Sequence, residues 1–260
     1  MSRNNAISQS FVIALLCGLL AGAGIGAGAA LWWVTHPAYN PVDLDGEKGV
    51  IAAFHRIYHN NWWNRTVLDT RWFGAEAMQC PLDMWVFQEI LYETRPDVVV
   101  ETGTRKGGSS SYFASILDLL GNGRVITVDI VDYPDKPQHN RVSYLTGSST
   151  SQEIIDKIKE FISPGEKVMV FLDSDHSKAH VQKELELYSG LVTPGNYLIG
   201  DDTHLNGHPI FTPAVAPRPG PMEAVEEFLS GNPNFVADRS REKFGFTFNP
   251  NGFLKRESRP

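Results

Sequence analysis

The chain has 260 residues, 42% of them hydrophobic, enough to bury one sizeable core with room for an appendage. A formal charge of −7 leaves no broad basic face, which argues against nucleic acid as a partner. The two cysteines, Cys17 and Cys80, support neither a disulfide framework nor a thiolate zinc site.

Phe11 to Val34 carries no charge and exceeds the roughly 20 apolar residues that a helix needs to cross a bilayer core. Gly18, Gly22 and Gly26 recur every four residues, as in helices that approach closely in a membrane, and Trp32 and Trp33 stand where an interfacial belt would. Residues 1–35 are therefore expected to form a single-pass transmembrane anchor and to place the protein at a membrane. The competing reading is a signal peptide cleaved in the Ala/Gly run. Flanking basic residues are nearly balanced, so no orientation follows. His36 to Lys48, with two prolines and three acids, reads as a linker over residues 36–49, ahead of a body over residues 50–260.

From Val50 to Phe73, helix-like apolar spacing mixes with Trp62, Trp63, Trp72 and Phe73, an aromatic group read as packing rather than as a binding platform. Pro81 and Asp83 suit the first turn of a helix that Arg95-Pro96 ends, with Met84, Phe87, Ile90 and Leu91 as its buried stripe. Asp97 to Val100 then runs into Glu101-Thr102-Gly103-Thr104-Arg105-Lys106-Gly107-Gly108-Ser109, which reads as strand, ligand-binding loop and helix start. Gly103 and Gly107 let the backbone turn sharply and approach a ligand.

Beyond the loop, Tyr112 to Leu120, Gln152 to Ile162 and Ala179 to Ser189 are predicted helices. They alternate with strands over Arg124 to Ile130, Val142 to Leu145, Lys167 to Asp173 and Asn196 to Gly200. That alternation predicts a mostly parallel sheet with helices on both faces, an α/β Rossmann-like fold with right-handed crossovers. Thr203 to Gly220, with four prolines and two histidines, reads as an active-site flap. Pro221 to Leu229 resumes as helix, and Phe235 to Ala237, Gly245 to Phe248 and Gly252 to Leu254 look like closing antiparallel strands; the fold class expected has a seven-stranded sheet.

In such a sheet, ligands bind beyond the carboxyl ends of the strands, where Glu101, Asp129, Asp173 and Asp201 all fall. Asp129 has the spacing of an acid that bridges ribose hydroxyls. An NAD fingerprint needs three glycines at fixed offsets. Here the pattern is Glu-x-Gly-x-x-x-Gly-x-Ser, and an acid before the turn suits an ammonium better than a diphosphate. A cofactor with an amino-acid tail and a ribose fits, namely S-adenosylmethionine. Asp173, followed 28 positions later by Asp201-Asp202, offers hard oxygen ligands for magnesium or another hard divalent ion, with Asp175 an alternative to Asp173.

At these residues the chain resembles metal-dependent class I methyltransferases, and more closely the cephalosporin hydroxylase/rhamnosyl O-methyltransferase family. The likeness covers roughly Trp72 to Arg256. It is carried by Pro81-Leu82-Asp83-Met84-Trp85, the Glu101–Ser109 loop, Leu172-Asp173-Ser174-Asp175-His176 and Gly200-Asp201-Asp202-Thr203. The resemblance implies S-adenosylmethionine at Gly103, Ser109 and Asp129, with Ser148 and Ser149 near the adenine, and magnesium at Asp173, Asp201 and Asp202. Catechol O-methyltransferase is similar in the same loop and acid spacing, but this sequence offers Asp202 in place of its amide and His176 in place of its basic lysine.

The implied reaction is methyl transfer to a hydroxyl of a small molecule or a lipid-linked sugar, the membrane segment favouring the latter. His176 is the candidate base, with His204 and His208 as alternatives. The family's other name allows a role in hydroxylating a natural-product scaffold, and a tethered binding module without turnover is a third reading. A homo-oligomer is allowed by all three.

Overall fold

Every residue of the run Val98–Thr102 is buried, as befits a strand inside a parallel sheet covered on both faces. The computed structural model of the chain describes residues 46–210 and 219–258. In chain order it contains α1 (Glu47–Arg56), β1 (Arg71–Trp72), β2 (Ala75–Glu76), α2 (Pro81–Thr94), β3 (Val98–Thr102), α3 (Gly108–Leu120), β4 (Arg124–Asp129), β5 (Val142–Thr146) and α4 (Gln152–Glu160). It continues with β6 (Val168–Leu172), α5 (Lys178–Tyr188), β7 (Tyr197–Gly200), α6 (Pro221–Gly231), β8 (Phe235–Ala237) and β9 (Phe253–Arg256).

The seven-stranded sheet has the order β5-β4-β3-β6-β7-β9-β8. Strands β3 to β7 are parallel to one another, and β9 runs antiparallel between β7 and β8. Alternate β3 side chains feed two cores. Val98 and Val100 face a cluster with Ile154, Ile158, Leu185 and Tyr188 from α4 and α5, whereas Val99 faces Phe87, Ile90, Phe113 and Phe171 on the side of α2 and α3. Chain order steps outward from β3 to β4 and β5 on one side and to β6 and β7 on the other. The crevice between β3 and β6 is therefore the topological switch point, where such sheets bind ligands.

Three expectations need correction. Gly245 to Phe248 alternates glycine with aromatic rings as a strand would, but it pairs with no strand. Its Phe246 and Phe248 instead pack with Val67 and Cys80 and against Tyr58 and Trp63. Thr203 to Ile210 is not a loose flap, because Thr203, His204, Leu205, Asn206 and Ile210 are all buried; residues 211–218 of the expected flap lie outside the described residues. The transmembrane anchor, and the membrane localisation and lipid-linked acceptor that rested on it, are likewise withdrawn. No helix among the described residues is long and apolar enough to cross a membrane. Residues 1–45, where that expectation and most of the linker fell, lie outside the described residues.

Candidate active site

A cleft of about 650 Å³ opens at the carboxyl ends of β3, β4, β6 and β7. Gly103, Ser109, Asp129, Ser148, Ser149, Asp173, His176, Asp201 and Asp202 line it together. Glu101 and Gly107 do not. Glu101 is fully buried beneath the loop, where its Oε2 accepts hydrogen bonds from the Ser110 and Thr127 hydroxyls and burial raises its pKa. It ties α3 and β4 to β3 instead of standing before a ligand's ammonium. Gly107, in the left-handed region at φ +74°, starts α3, and a Cβ there would approach the Tyr144 hydroxyl and Pro137.

The cofactor half of the cleft follows from the turn at Gly103. Its φ of +88° carries the chain over β6 so closely that a Cβ would lie 1.7 Å from the Asp173 carbonyl oxygen. Across the turn, the Asp129 carboxylate accepts the Arg105 amide (2.8 Å) and the Val131 amide (2.9 Å), which fixes it at the end of β4 while leaving lone pairs on both oxygens. Ile130 and Val131 add apolar lining, and Ser148, Ser149 and Thr150 line the same cleft. An acid for a diol, an apolar wall for a flat base and hydroxyls around it are the donor set that a nucleoside needs, so the residues present fit S-adenosylmethionine.

The acidic half is built by backbone anchors. The Asp173 amide donates to the Thr102 carbonyl (3.1 Å), and the Asp201 amide to the Leu172 carbonyl (2.9 Å). The Asp202 amide donates to Asn249 Oδ1 (3.0 Å). Asp202 lies in the left-handed region at φ +59°, a conformation aspartate tolerates. Asp173, His176 and Asp202 each bring a ligand atom within 4.8 Å of the others. Asp201 stands beside this trio rather than within it: Gln79 Nε2 donates to both Asp173 Oδ2 (2.7 Å) and Asp201 Oδ2 (3.1 Å).

Electrostatics mark the cluster as short of positive charge. Burial and the mutual repulsion of the carboxylates push Asp201 up to about 7, and Asp173 rises well above the usual carboxylate range for the same reasons. Burial, with buried Asp83 nearby, also takes Asp202 to about 7. Asp201 Oδ1 is buried without a hydrogen-bond partner. A hard divalent cation held by Asp173 and Asp202 would offset the repulsion, so the donor set fits one.

The histidines separate by position. His176 Nε2 lies 3.3 Å from Asp202 Oδ2, and burial lowers its pKa, which keeps the ring neutral near pH 7. His204 is fully buried, stacked on Phe248 at 4.1 Å, and does not line the cleft. His208 pairs with Glu223 (3.0 Å) away from it. Neither His204 nor His208 is placed to serve as the base. Asp175 accepts the Ser177 amide (2.8 Å) at the start of α5, a local tie that leaves Asp173 as the β6 acid of the trio.

Several lining residues escaped the sequence reading. His59, Trp63 and Leu205 have no motif around them and reach the cleft only through the fold. Gln79 was missed as well, although it directly precedes the Cys80-Pro81-Leu82-Asp83 helix start.

Comparison with known proteins places these features. Residues 64–257 match the family model described as Rhamnosyl O-methyltransferase/CmcI. The chain is 37% identical over 227 residues to a rhamnosyl O-methyltransferase of Mycobacterium leprae (strain TN), covering 84% of this chain and 93% of that protein. It is 39% identical over 227 residues to the rhamnosyl O-methyltransferase of Mycobacterium tuberculosis (strain ATCC 25618 / H37Rv), covering 84% and 87%. Among solved structures, an apo form of CmcI matches with a TM-score of 0.57 at 17% identity, over 77% of this chain and 84% of that one. A CmcI structure with Mg and SAM matches with a TM-score of 0.57 at 16% identity, over 76% and 84%; at these identities the likeness is one of fold.

Proposed function

The chain belongs to the rhamnosyl O-methyltransferase/CmcI family, and on that footing we propose that it methylates a hydroxyl of a sugar, with Asp173 and Asp202 as metal ligands and His176 as base. It is an S-adenosylmethionine-dependent, metal-assisted O-methyltransferase. The observation that carries the residue assignment is the gathering of Asp173, His176 and Asp202 within 4.8 Å of one another, beside the Gly103 turn. A rhamnosyl hydroxyl is the acceptor class that the curated relatives' names point to.

When bound, S-adenosylmethionine supplies an electrophilic methyl carbon on sulfur, and a divalent ion supplies the charge that lowers the pKa of an acceptor hydroxyl. The protein's part is placement. Asp129 accepts the ribose hydroxyls, and the backbone at Gly103 carries the loop past Asp173, which fixes the distance between the cofactor and metal halves. Asp173 and Asp202 supply oxygen ligands, and Asp201, held through Gln79, adds negative charge next to them. A hard ion favours oxygen over imidazole, which leaves neutral His176 free to take the hydroxyl proton, with Asp202 3.3 Å away to stabilise the resulting imidazolium. The trio contains one histidine and two carboxylates, the inverse of the two-histidine, one-carboxylate set of iron hydroxylases, which disfavours a hydroxylating role.

The test is metal removal. Dialysis against a chelator is expected to abolish methyl transfer from S-adenosylmethionine to methyl α-L-rhamnopyranoside, and added Mg²⁺ to restore it. Turnover that survives exhaustive chelation would contradict the assignment.

A further inference from the structure

The helix that opens the described chain leads to a second wall of the same cleft. α1 passes into a π-helical turn, Ile57–Asn61, whose wider pitch changes which side chains face inward. Both His55 and His59 end up buried, although they lie in a segment with exposed Phe54, Ile57 and Trp62. His59 and the half-buried Trp63 line the cleft with Asp201 and Asp202. Contacts run in sequence away from the acid cluster: His204 Nδ1 lies 3.5 Å from Asp202 Oδ1, the His204 and His59 rings are 5.2 Å apart, and the His59 and Trp63 rings 4.7 Å. A separate set of contacts joins Asp173 through Gly103 to Arg105 and Asp129, the residues read above as the cofactor half.

We propose that His59 and Trp63 form the acceptor subsite, Trp63 as a platform for the C–H face of a pyranose ring and His59 as a hydrogen-bond acceptor for one of its hydroxyls. The proposal rests on the methyl-transfer reading above and adds what holds the acceptor. With the nucleoside assigned to Gly103 and Asp129, His59 and Trp63 are lining residues of the same cleft left for the molecule that carries the hydroxyl. Trp63 is fit for a platform because it is fixed from behind by the cluster of Val67, Cys80, Phe246 and Phe248, so little conformational freedom is lost on binding. His59 is fit for a hydroxyl because its Nδ1 donates to Asn60 Oδ1 (3.2 Å), which leaves Nε2 as a lone-pair acceptor. Burial lowers its pKa and keeps that lone pair available at neutral pH.

The experiment uses the full chain with Mg²⁺ and methyl α-L-rhamnopyranoside as the probe, read by steady-state turnover and by saturation-transfer NMR with S-adenosylhomocysteine present. Trp63→Ala is expected to raise the acceptor KM roughly tenfold or more while kcat stays within about threefold and S-adenosylhomocysteine affinity is unchanged. Trp63→Phe should recover most of the loss. His59→Leu should raise KM similarly, with His59→Gln, which keeps an acceptor atom, partly rescuing it. Unchanged KM in Trp63→Ala and His59→Leu, with the wild type active, overturns the subsite and leaves the methyl-transfer reading standing. Binding of the rhamnoside that these variants lose, without wild-type turnover, supports the subsite and counts against the reaction. Equal loss of S-adenosylhomocysteine affinity in the variants, or no binding of the rhamnoside by the wild type, overturns the proposal.

Discussion

Replacing Asp173 with asparagine is expected to lower kcat/KM by about a thousandfold or more while raising the thermal stability of the metal-free protein, a loss and a gain with one cause. Asp173 is a half-buried carboxylate whose pKa is raised by loss of solvent and then by Asp201 and Asp202. In the absence of a cation its charge opposes folding, and asparagine removes that charge while still accepting the Gln79 hydrogen bond. The same substitution takes away a metal ligand. The catalytic gain from a bound ion is several kcal/mol of charge stabilisation, hence the size of the loss.

The pH dependence carries the same sign. These acids have folded pKa values above their unfolded ones, about 7 for Asp201 and Asp202, so the stability they permit is full below the unfolded carboxyl value. It falls as pH rises from near 4 through about 7. Tm measured across that range in chelator should decline, and saturating Mg²⁺ should remove most of the decline. An asparagine variant that is active, or less stable than wild type without metal, would count against the account.

Gly103→Ala is the second large effect. The added Cβ would meet the Asp173 carbonyl oxygen at 1.7 Å and its carbon at 2.5 Å, both backbone atoms that no rotamer change can move, at a φ of +88° that alanine disfavours. Left-handed strain and overpacking together cost about 2–4 kcal/mol. The sheet can absorb this only by moving the β3 loop off β6, which separates Asp129 from Asp173. Urea unfolding should show the stability loss, and calorimetry should show S-adenosylhomocysteine binding weakened by at least about tenfold even where the variant is folded. A variant with wild-type stability and affinity would show that the close approach at Gly103 does not set the site.

Much of this was legible in the sequence because it is local. The β-branched run before Glu101, the glycines after it and the strand-end acids Asp129, Asp173 and Asp201 each announce a strand terminus, and parallel strands bring such termini to one edge. Side-chain direction was less legible. Glu101 sits one residue before the strand's end and points into the core, where Ser110 and Thr127 satisfy one oxygen, so its position relative to the turn misled. Asp201 and Asp202 are adjacent, yet only Asp202, at a left-handed φ, belongs to the trio, and His176 joins it in the place expected for Asp201.

Long-range partners were invisible. Gln79 meets Asp173 and Asp201 from 94 and 122 positions away. The aromatic group of the first segment divided in a way composition could not tell: Trp72 packs edge-on to Tyr112 and bonds Ser115, whereas Trp63 reaches the cleft. Phe246 and Phe248 kept the alternation of a strand but used it to close an aromatic wall on α1.

The claim on which the mechanism turns is that Asp173 and Asp202 hold one cation beside the cofactor cleft. Crystals grown with Mn²⁺ and S-adenosylhomocysteine, measured at a wavelength where manganese scatters anomalously, test it directly. The account predicts a single strong anomalous peak bonded to carboxylate oxygens of Asp173 and Asp202, next to the nucleoside. A peak elsewhere, or nucleoside density with no peak between those two side chains, would contradict it.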